Sequence, residues 1–333
     1  MGIVSDDALK HFKGLIDQAT AKDEPLRKTF ENMHQGYLME TLRRFLKARE
    51  GNVAKANKML LDCLNWRIQS EIDNILAKPI IPSNMYRAVR DSQLIGLSGY
   101  SKEGLPVFAI GVGMSTFDKA SVHYYVQSHI QINEYRDRVI LPAATHKHGR
   151  YIGTCLKVLD MTGLKLSALN HIKLLTIIST IDDLNYPEKT DTYYIVNVPY
   201  IFSACWKVRV KRHLFSMAEN VLTIWHMQIM DYSSLPHFSR REGSGSSKHS
   251  IPETDDCFSL DHGFHQKLYD FIKKESSMLQ TVAPIKQGSF HVNFPEPNPE
   301  GSKIAQTIES EFHRLGDQNT LSKPLNGLRI GGD

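Results

Sequence analysis

The residues of this 333-residue sequence that could do chemistry are few, and most are spaced wrongly for it. Gly111-Val112-Gly113 follows an apolar run, but Thr116 stands where a dinucleotide loop needs its third glycine, so a turn is predicted. His146-Lys147-His148 has no carboxylate or thiolate beside it and reads as a surface turn rather than a metal site. Cys205 sits in Phe202-Ser203-Ala204-Cys205-Trp206 and reads as a packed cysteine rather than a nucleophile. Gly243-Ser244-Gly245-Ser246 lacks the Gly-Lys-Ser/Thr ending of a phosphate loop and the apolar strand before a nucleophile elbow; a flexible loop is predicted. Two charges remain. Glu188 lies in Tyr186-Pro187-Glu188-Lys189 just before an apolar strand, and Arg49 follows Phe45-Leu46-Lys47-Ala48. Each alone reads as a surface residue. Together they make a site only if the fold unites them, which spacing cannot show.

The elements that would position these residues read clearly between Thr154 and Phe202. Leu156, Val158 and Leu159 form a short strand ending at the turn Asp160-Met161-Thr162-Gly163. Leu164 to Ile181 carries apolar residues at helical spacing, and Tyr193 to Val198 is a β-branched and aromatic strand stopped by Pro199. A nearly continuous apolar strand after a crossover helix predicts a parallel sheet covered on both faces. The unit has much apolar surface and no reaction machinery, as a binder of something greasy would. Val107 to Ile110 is a further strand and Ala120 to Leu141 a helix; Leu214 to Met227 fits either helix or strand. Residues 5–78 read as two or three packed helices, with stripes at Leu38, Leu42, Phe45, Leu46 and at Met59, Leu60, Cys63, Trp66, and with Asn52 as an N-cap. His262 to Ser277 is an amphipathic helix (Phe264, Leu268, Phe271, Ile272), and Ile304 to Leu315 another. The predicted units are 1–78, a helical bundle; 84–247, an α/β unit; and 248–333, an extension, partly helical and partly disordered.

Composition narrows the classes. Hydrophobic residues make up 41% and charged residues 23%, ordinary values for a chain with a sizeable core. A net charge of +4 is too small to argue for nucleic acid and suits an anionic membrane surface, where each basic residue contributes about 1 kcal/mol. Cys63, Cys155, Cys205 and Cys257 show no C-x-x-C spacing, and no apolar segment follows the first residues; a reduced, cytosolic protein is expected. No run of apolar residues is long enough to span a bilayer.

Four pieces in order then resemble the Sec14-like (CRAL-TRIO) lipid-binding proteins, plant members above all. They are Leu42-Arg43-Arg44-Phe45-Leu46-Lys47-Ala48-Arg49 with Trp66-Arg67; Gly104-Leu105-Pro106-Val107-Phe108; Val158 to Gly163; and Tyr186-Pro187-Glu188-Lys189 leading to Tyr194-Ile195-Val196-Asn197-Val198-Pro199. The resemblance implies an α/β fold. An N-terminal helical bundle precedes a CRAL-TRIO lobe, whose mostly parallel sheet floors an apolar lipid pocket behind a mobile gate.

It also implies function. In phosphatidylinositol-binding members, residues matching Arg49 and Glu188 hold the inositol phosphate; the planar guanidinium suits a phosphodiester. A Thr and a Lys used by those members fall on Met217 and Asn220 and are not retained. Positions that hold phosphatidylcholine in relatives are Leu97, Phe108, Cys155 and Lys157 here, without the aromatic and hydroxyl contacts that choline phosphate uses. Weak phosphatidylcholine binding is therefore expected, with Lys157 available to an anionic group on another lipid or else turned to solvent. Residues 209–228 depart from the family's gate region. The basic run Lys207, Arg209, Lys211, Arg212 is expected to meet the bilayer. The expected activity is binding and transfer or presentation of phosphatidylinositol, by a monomeric peripheral membrane protein with bound phospholipid as ligand, no cofactor, no metal, no catalytic residues and no nucleic-acid partner. Two alternatives stay open: a carrier of a sterol, retinoid or tocopherol, and a transfer-inactive isoform acting as a scaffold.

Overall fold

The computed structural model describes residues 4–164, 171–197, 215–217, 235–236 and 255–278. Four helices open the chain: α1 (Asp6–Thr20), α2 (Glu24–His34), α3 (Leu38–Ala48) and α4 (Val53–Gln69). The sequence reading of two or three was one short, because α1 and α2 are separated by only three residues. Side-chain caps mark the boundaries. Ser5 accepts from the Ala8 amide (3.2 Å), Asp23 from Leu26 (3.0 Å) and Asn52 from Lys55 (2.9 Å). Phe12, Ile16, Leu42, Phe45, Leu46, Leu60 and Leu64 fill the bundle's own core. Trp66 leaves that core and packs against the next one.

A 3₁₀ helix (Ile72–Ala77) and α5 (Ser83–Ser92) lead into the lobe. Its strands are β1 (Ile95–Tyr100), β2 (Pro106–Gly111), β3 (Cys155–Asp160), β4 (Thr190–Val196) and β5 (Phe215–Met217), in that spatial order. The β1–β2 pair is antiparallel and the other three pairs are parallel, so the sheet is mostly parallel. β1 was not read from the sequence: Gly96, Ser98 and Gly99 dilute its pattern. Gly96 is needed there, because a Cβ on it would lie 1.8 Å from the Cys257 carbonyl oxygen.

The predicted Ala120–Leu141 helix is three pieces: α6 (Val122–Tyr135), a π turn (Arg136–Ile140) and α7 (Leu141–His148). α6 is buried from Tyr125 to Tyr135 despite polar residues on several faces. It survives there because those residues are partnered. Gln127 donates to the Lys78 carbonyl (2.9 Å), Ser128 to Gln93 (2.9 Å) and Gln131 to the Lys78 carbonyl (2.8 Å). α8 (Ile172–Asn185) crosses from β3 to β4 and ends later than its periodicity predicts; residues 165–170 of the predicted Leu164–Ile181 helix lie outside the described residues. α9 (Gly263–Met278) sets Phe264, Leu268 and Ile272 into the lobe core beside Ile72, Ile75 and Phe108. The opposite sheet face is closed by Val107, Leu156, Val158, Tyr194, Val196 and Leu235. Among the described residues, no helix is long and apolar enough to cross a membrane.

The glycine pair after β2 makes a turn. Gly113 donates to the Asp160 carbonyl (3.1 Å), and a Cβ on it would lie 2.2 Å from the Thr162 carbonyl oxygen. It therefore locks β2 to the turn after β3. His146, Lys147 and His148 form the last turn of α7 rather than a loop.

Candidate functional site

Sheet register decides which polar residues meet. Leu97 pairs with Phe108, Phe108 with Lys157, and Lys157 with Tyr193, so these four form one row across β1 to β4. Cys155 lies two residues before Lys157, on the same face, and is buried in the lobe core. Phe108, Lys157 and Tyr193 floor a cavity of about 230 Å³ beneath α6 and α8. Ile110, Ile132 and Ile178 line it, and the exposed Leu175 stands at its edge.

The floor is not wholly apolar. Lys157, 8% exposed, faces the Asp182 carboxylate at 3.5 Å and lies 5.5 Å from the Tyr193 ring centroid. Asp182 also accepts from Asn133 (2.8 Å) and meets His129 at 2.7 Å. Arg136 donates to Asn133 (2.9 Å). Burial pulls the Lys157 ammonium down, but Asp182 outweighs it and the net shift is upward. Burial pushes the Asp182 carboxyl up, yet His129 and Lys157 hold it far below the usual range. The floor thus presents an ammonium and a carboxylate to an apolar cavity. His129, Asn133 and Arg136 were missed in the sequence, though they recur at i, i+4 and i+7 on an apolar helix, a legible stripe. Asp182 is the matching charge on α8.

Arg49 and Glu188 make separate contacts. Glu188 pairs with Lys47 at 2.7 Å. The Arg49 guanidinium donates to the Ala48 carbonyl (2.9 Å) and lines a separate crevice with Cys63, Trp66 and Asn185. Burial and Asp182 hold the Asp183 carboxyl up, and Arg49 opposes them. Lys207, Arg209, Lys211, Arg212, Cys205, Asn220 and the Gly243–Ser246 loop lie outside the described residues. The side chain of Met217 is likewise not described.

The quoted motifs do meet in one place. Arg67 donates twice to the buried Glu134 (2.8 and 3.0 Å) and to Asp73 (2.7 Å). Tyr186 donates its hydroxyl to Glu134 (2.7 Å), and Arg138 pairs with the same carboxylate at 2.6 Å. Burial pushes Glu134 up, but Arg67 and Arg138 outweigh it and bring it down to about 2. Arg44 donates to the Pro187 carbonyl (3.2 Å), and the Trp66 and Tyr186 rings meet edge to face at 6.3 Å. These contacts clamp the bundle to the lobe, with Glu188 beside the clamp.

Lys189 follows in the same segment. Burial and Arg44 push it down to about 7, against the pull of Asp137 at 3.1 Å. An unfolded lysine keeps its proton to about pH 10.4. Between about pH 7 and pH 10 the unfolded chain therefore binds more protons here, and this group makes stability rise with pH. Lys189→Met is expected to flatten that rise, seen as equal urea midpoints for the variant at pH 7 and pH 9.

Among the described residues, no group of three or more His, Cys, Asp or Glu could hold a metal ion. Residues 8–62 match the CRAL/TRIO N-terminal domain and residues 90–213 the CRAL/TRIO domain. The phosphatidylinositol/phosphatidylcholine transfer protein SFH9 of Arabidopsis thaliana is 26% identical over 90% of this chain and 53% of its own length. The phosphatidylinositol/phosphatidylcholine transfer protein SFH11 of the same plant is 26% identical over 57% of this chain and 54% of its own. The SEC14 cytosolic factor of Yarrowia lipolytica is 26% identical over 65% of this chain and 45% of its own. The chain thus spans about half the length of the curated relatives it matches. The crystal structure of Sfh5 superposes with a TM-score of 0.53 at 15% identity, covering 82% of this chain and 98% of that one, and so shares the fold. A helical bundle clamped to a mostly parallel sheet, with both domain models matched in order, places this chain in the CRAL/TRIO family.

Proposed function

We propose that this chain binds phosphatidylinositol and transfers or presents it at membranes, without covalent chemistry. The observation that supports this reading most is the cavity above the Phe108–Lys157–Tyr193 row, apolar in its walls and ionic at its floor. Each methylene moved out of water is worth about 0.8 kcal/mol, so a carrier must enclose acyl chains. At about 230 Å³ the cavity among the described residues takes only part of a phospholipid's acyl chains. Glu188 and Lys47 are proposed to meet the inositol head group, with Arg49 on the neighbouring surface. Glu188 would accept from inositol hydroxyls while Lys47 faces the phosphate. Lys157 is proposed to serve a second lipid with an anionic or hydroxyl-rich head. Phosphatidylcholine is disfavoured, since the Lys157 ammonium at the floor opposes its cation and Leu97 and Cys155 offer no hydroxyl to its phosphate.

The test is phosphatidylinositol transfer between vesicles. Wild type is expected to transfer phosphatidylinositol and to leave phosphatidylcholine at background. Glu188→Ala and Lys47→Ala are expected to lose about tenfold, equivalent to roughly 1.4 kcal/mol, and Arg49→Ala less. Equal rates for wild type and all three variants would remove this head-group assignment. Native mass spectrometry of the bound molecule separates a phospholipid from a sterol or tocopherol.

A further inference from the structure

The seam between the helical bundle and the lobe holds a crevice of about 30 Å³, apart from the cavity above β2 to β4. Thr41 and Arg44 line it from α3, and Asp137, Tyr151, Gly153 and Lys189 from the lobe. Its polar groups are not sealed off. The Lys189 and Asp137 side chains are 11% and 18% exposed, and Arg44 and Tyr151 are half-buried.

The charges on this crevice do not balance. Among the described residues that line it, Asp137 is the one carboxylate; it accepts from Arg136 (2.7 Å) and pairs with Lys189 (3.1 Å). Burial pushes the Asp137 carboxyl up, but Arg136, Lys189 and Arg44 hold it far below the usual range. Three cations thus gather around one carboxylate. Arg44 donates only to neutral acceptors, the Pro187 carbonyl (3.2 Å) and the Thr41 hydroxyl (3.4 Å). Burial presses the Arg44 guanidinium down, and burial with the Arg44 charge presses Lys189 down to about 7. Glu188, next to Lys189, is taken by Lys47 at 2.7 Å. Glu40 on α3 acts on Tyr151, and His34 on the crevice wall is pressed down by burial, which keeps it neutral. A free donor stands beside these charges. The Tyr151 hydroxyl makes no hydrogen bond among the described residues, and burial pushes it up, so it keeps its hydrogen. Its ring packs on Tyr37 of the bundle, 4.6 Å between centroids. Gly153 makes room for it, because a Cβ there would lie 2.3 Å from the Tyr151 hydroxyl oxygen.

We propose that this seam crevice binds one small monovalent anion, a halide or a carboxylate group, held by Arg44, Lys189 and the Tyr151 hydroxyl. The class follows from charge and size. A buried cation without a counter-charge is costly to a fold, and an anion between Arg44 and Lys189 relieves both. About 30 Å³ is room for one or two waters, so the crevice admits an anion little larger than water and excludes a sugar or a lipid head. The occupant would touch α3 on one side and the segments around Tyr151 and Lys189 on the other, and so join bundle to lobe. The site does not depend on what the lipid cavity holds.

Thermal melting of the full chain at constant ionic strength tests it, with gluconate, too large for the crevice, replaced stepwise by chloride or by acetate. A saturable rise in melting temperature of roughly 2–4 °C is expected in one or both small anions, since a ligand of the folded state alone stabilises it. The rise is expected to vanish in Arg44→Met and to shrink in Tyr151→Phe. It is also expected to be larger at pH 6 than at pH 9. Below about pH 7 the Lys189 ammonium is already present, whereas above it the anion must also draw a proton. A larger rise in chloride identifies a halide as the occupant, and a larger rise in acetate a carboxylate. No rise over gluconate in wild type, or the same rise in Arg44→Met, overturns the proposal and leaves the crevice to water. Should Arg44→Met fail to fold, chloride NMR line broadening by wild type and by Tyr151→Phe decides: broadening that Tyr151→Phe reduces supports the site, and none, or equal broadening in both, overturns it.

Discussion

Glu134→Ala is expected to cost about 3–5 kcal/mol, the usual penalty for breaking a buried ion pair from one side. The carboxylate is 2% exposed and receives Arg67, Arg138 and the Tyr186 hydroxyl. Its removal leaves the Arg67 guanidinium, 3% exposed, with only the Asp73 carboxylate. The effect reaches beyond one helix, because Glu134 stands on α6 and its three partners come from α4, the π turn and the segment after α8. A large share of a typical folding free energy of about 5–15 kcal/mol would go. Urea unfolding followed by circular dichroism measures it. A loss below about 1 kcal/mol would mean that water replaces the carboxylate and that the clamp is not structural. Glu134→Gln keeps shape but removes charge, and is expected to fall between wild type and alanine.

Ile178→Trp is expected to abolish lipid loading while the protein stays folded. Ile178 lies on α8 above the ionic floor and lines the cavity. A larger side chain there occupies space that an acyl chain would take. Overpacking costs about 1–3 kcal/mol, which a fold of this size tolerates, whereas an excluded ligand has no substitute site. Vesicle transfer should drop to background, and native mass spectrometry should show the chain without lipid. Wild-type transfer by a folded Ile178→Trp would place the ligand elsewhere. The two variants separate cleanly: Glu134→Ala lowers stability first, and Ile178→Trp lowers loading first.

Much of the fold was legible because it is local. Caps at Asn52 and apolar residues at helical spacing mark the bundle. The apolar runs at Val107–Ile110 and Tyr193–Val196 mark strands buried on both faces, which predict parallel pairing. β1 was not legible, because two glycines and a serine thin its pattern, and one of those glycines answers to Cys257, far along the chain. The break in the Ala120–Leu141 helix was hidden because a π turn keeps the same residue types. Its wider turn lets Arg136, Asp137 and Arg138 reach Asn133, Lys189 and Glu134 in turn.

What the chain's own pattern determined, then, is the helical bundle, the parallel strands β2 to β4 with their crossover, and the family. What only the tertiary structure decided is which charges meet. Spacing could not show what Glu188 meets; the pair formed is with Lys47, two residues before Arg49. Lys157, read evenly between pocket and solvent, is buried against Asp182, 25 residues on, and near His129 on another helix. Helical and strand periods report which face of an element is buried. They say nothing of which distant charge will stand opposite, since that depends on register, crossover and packing angle summed over the whole fold.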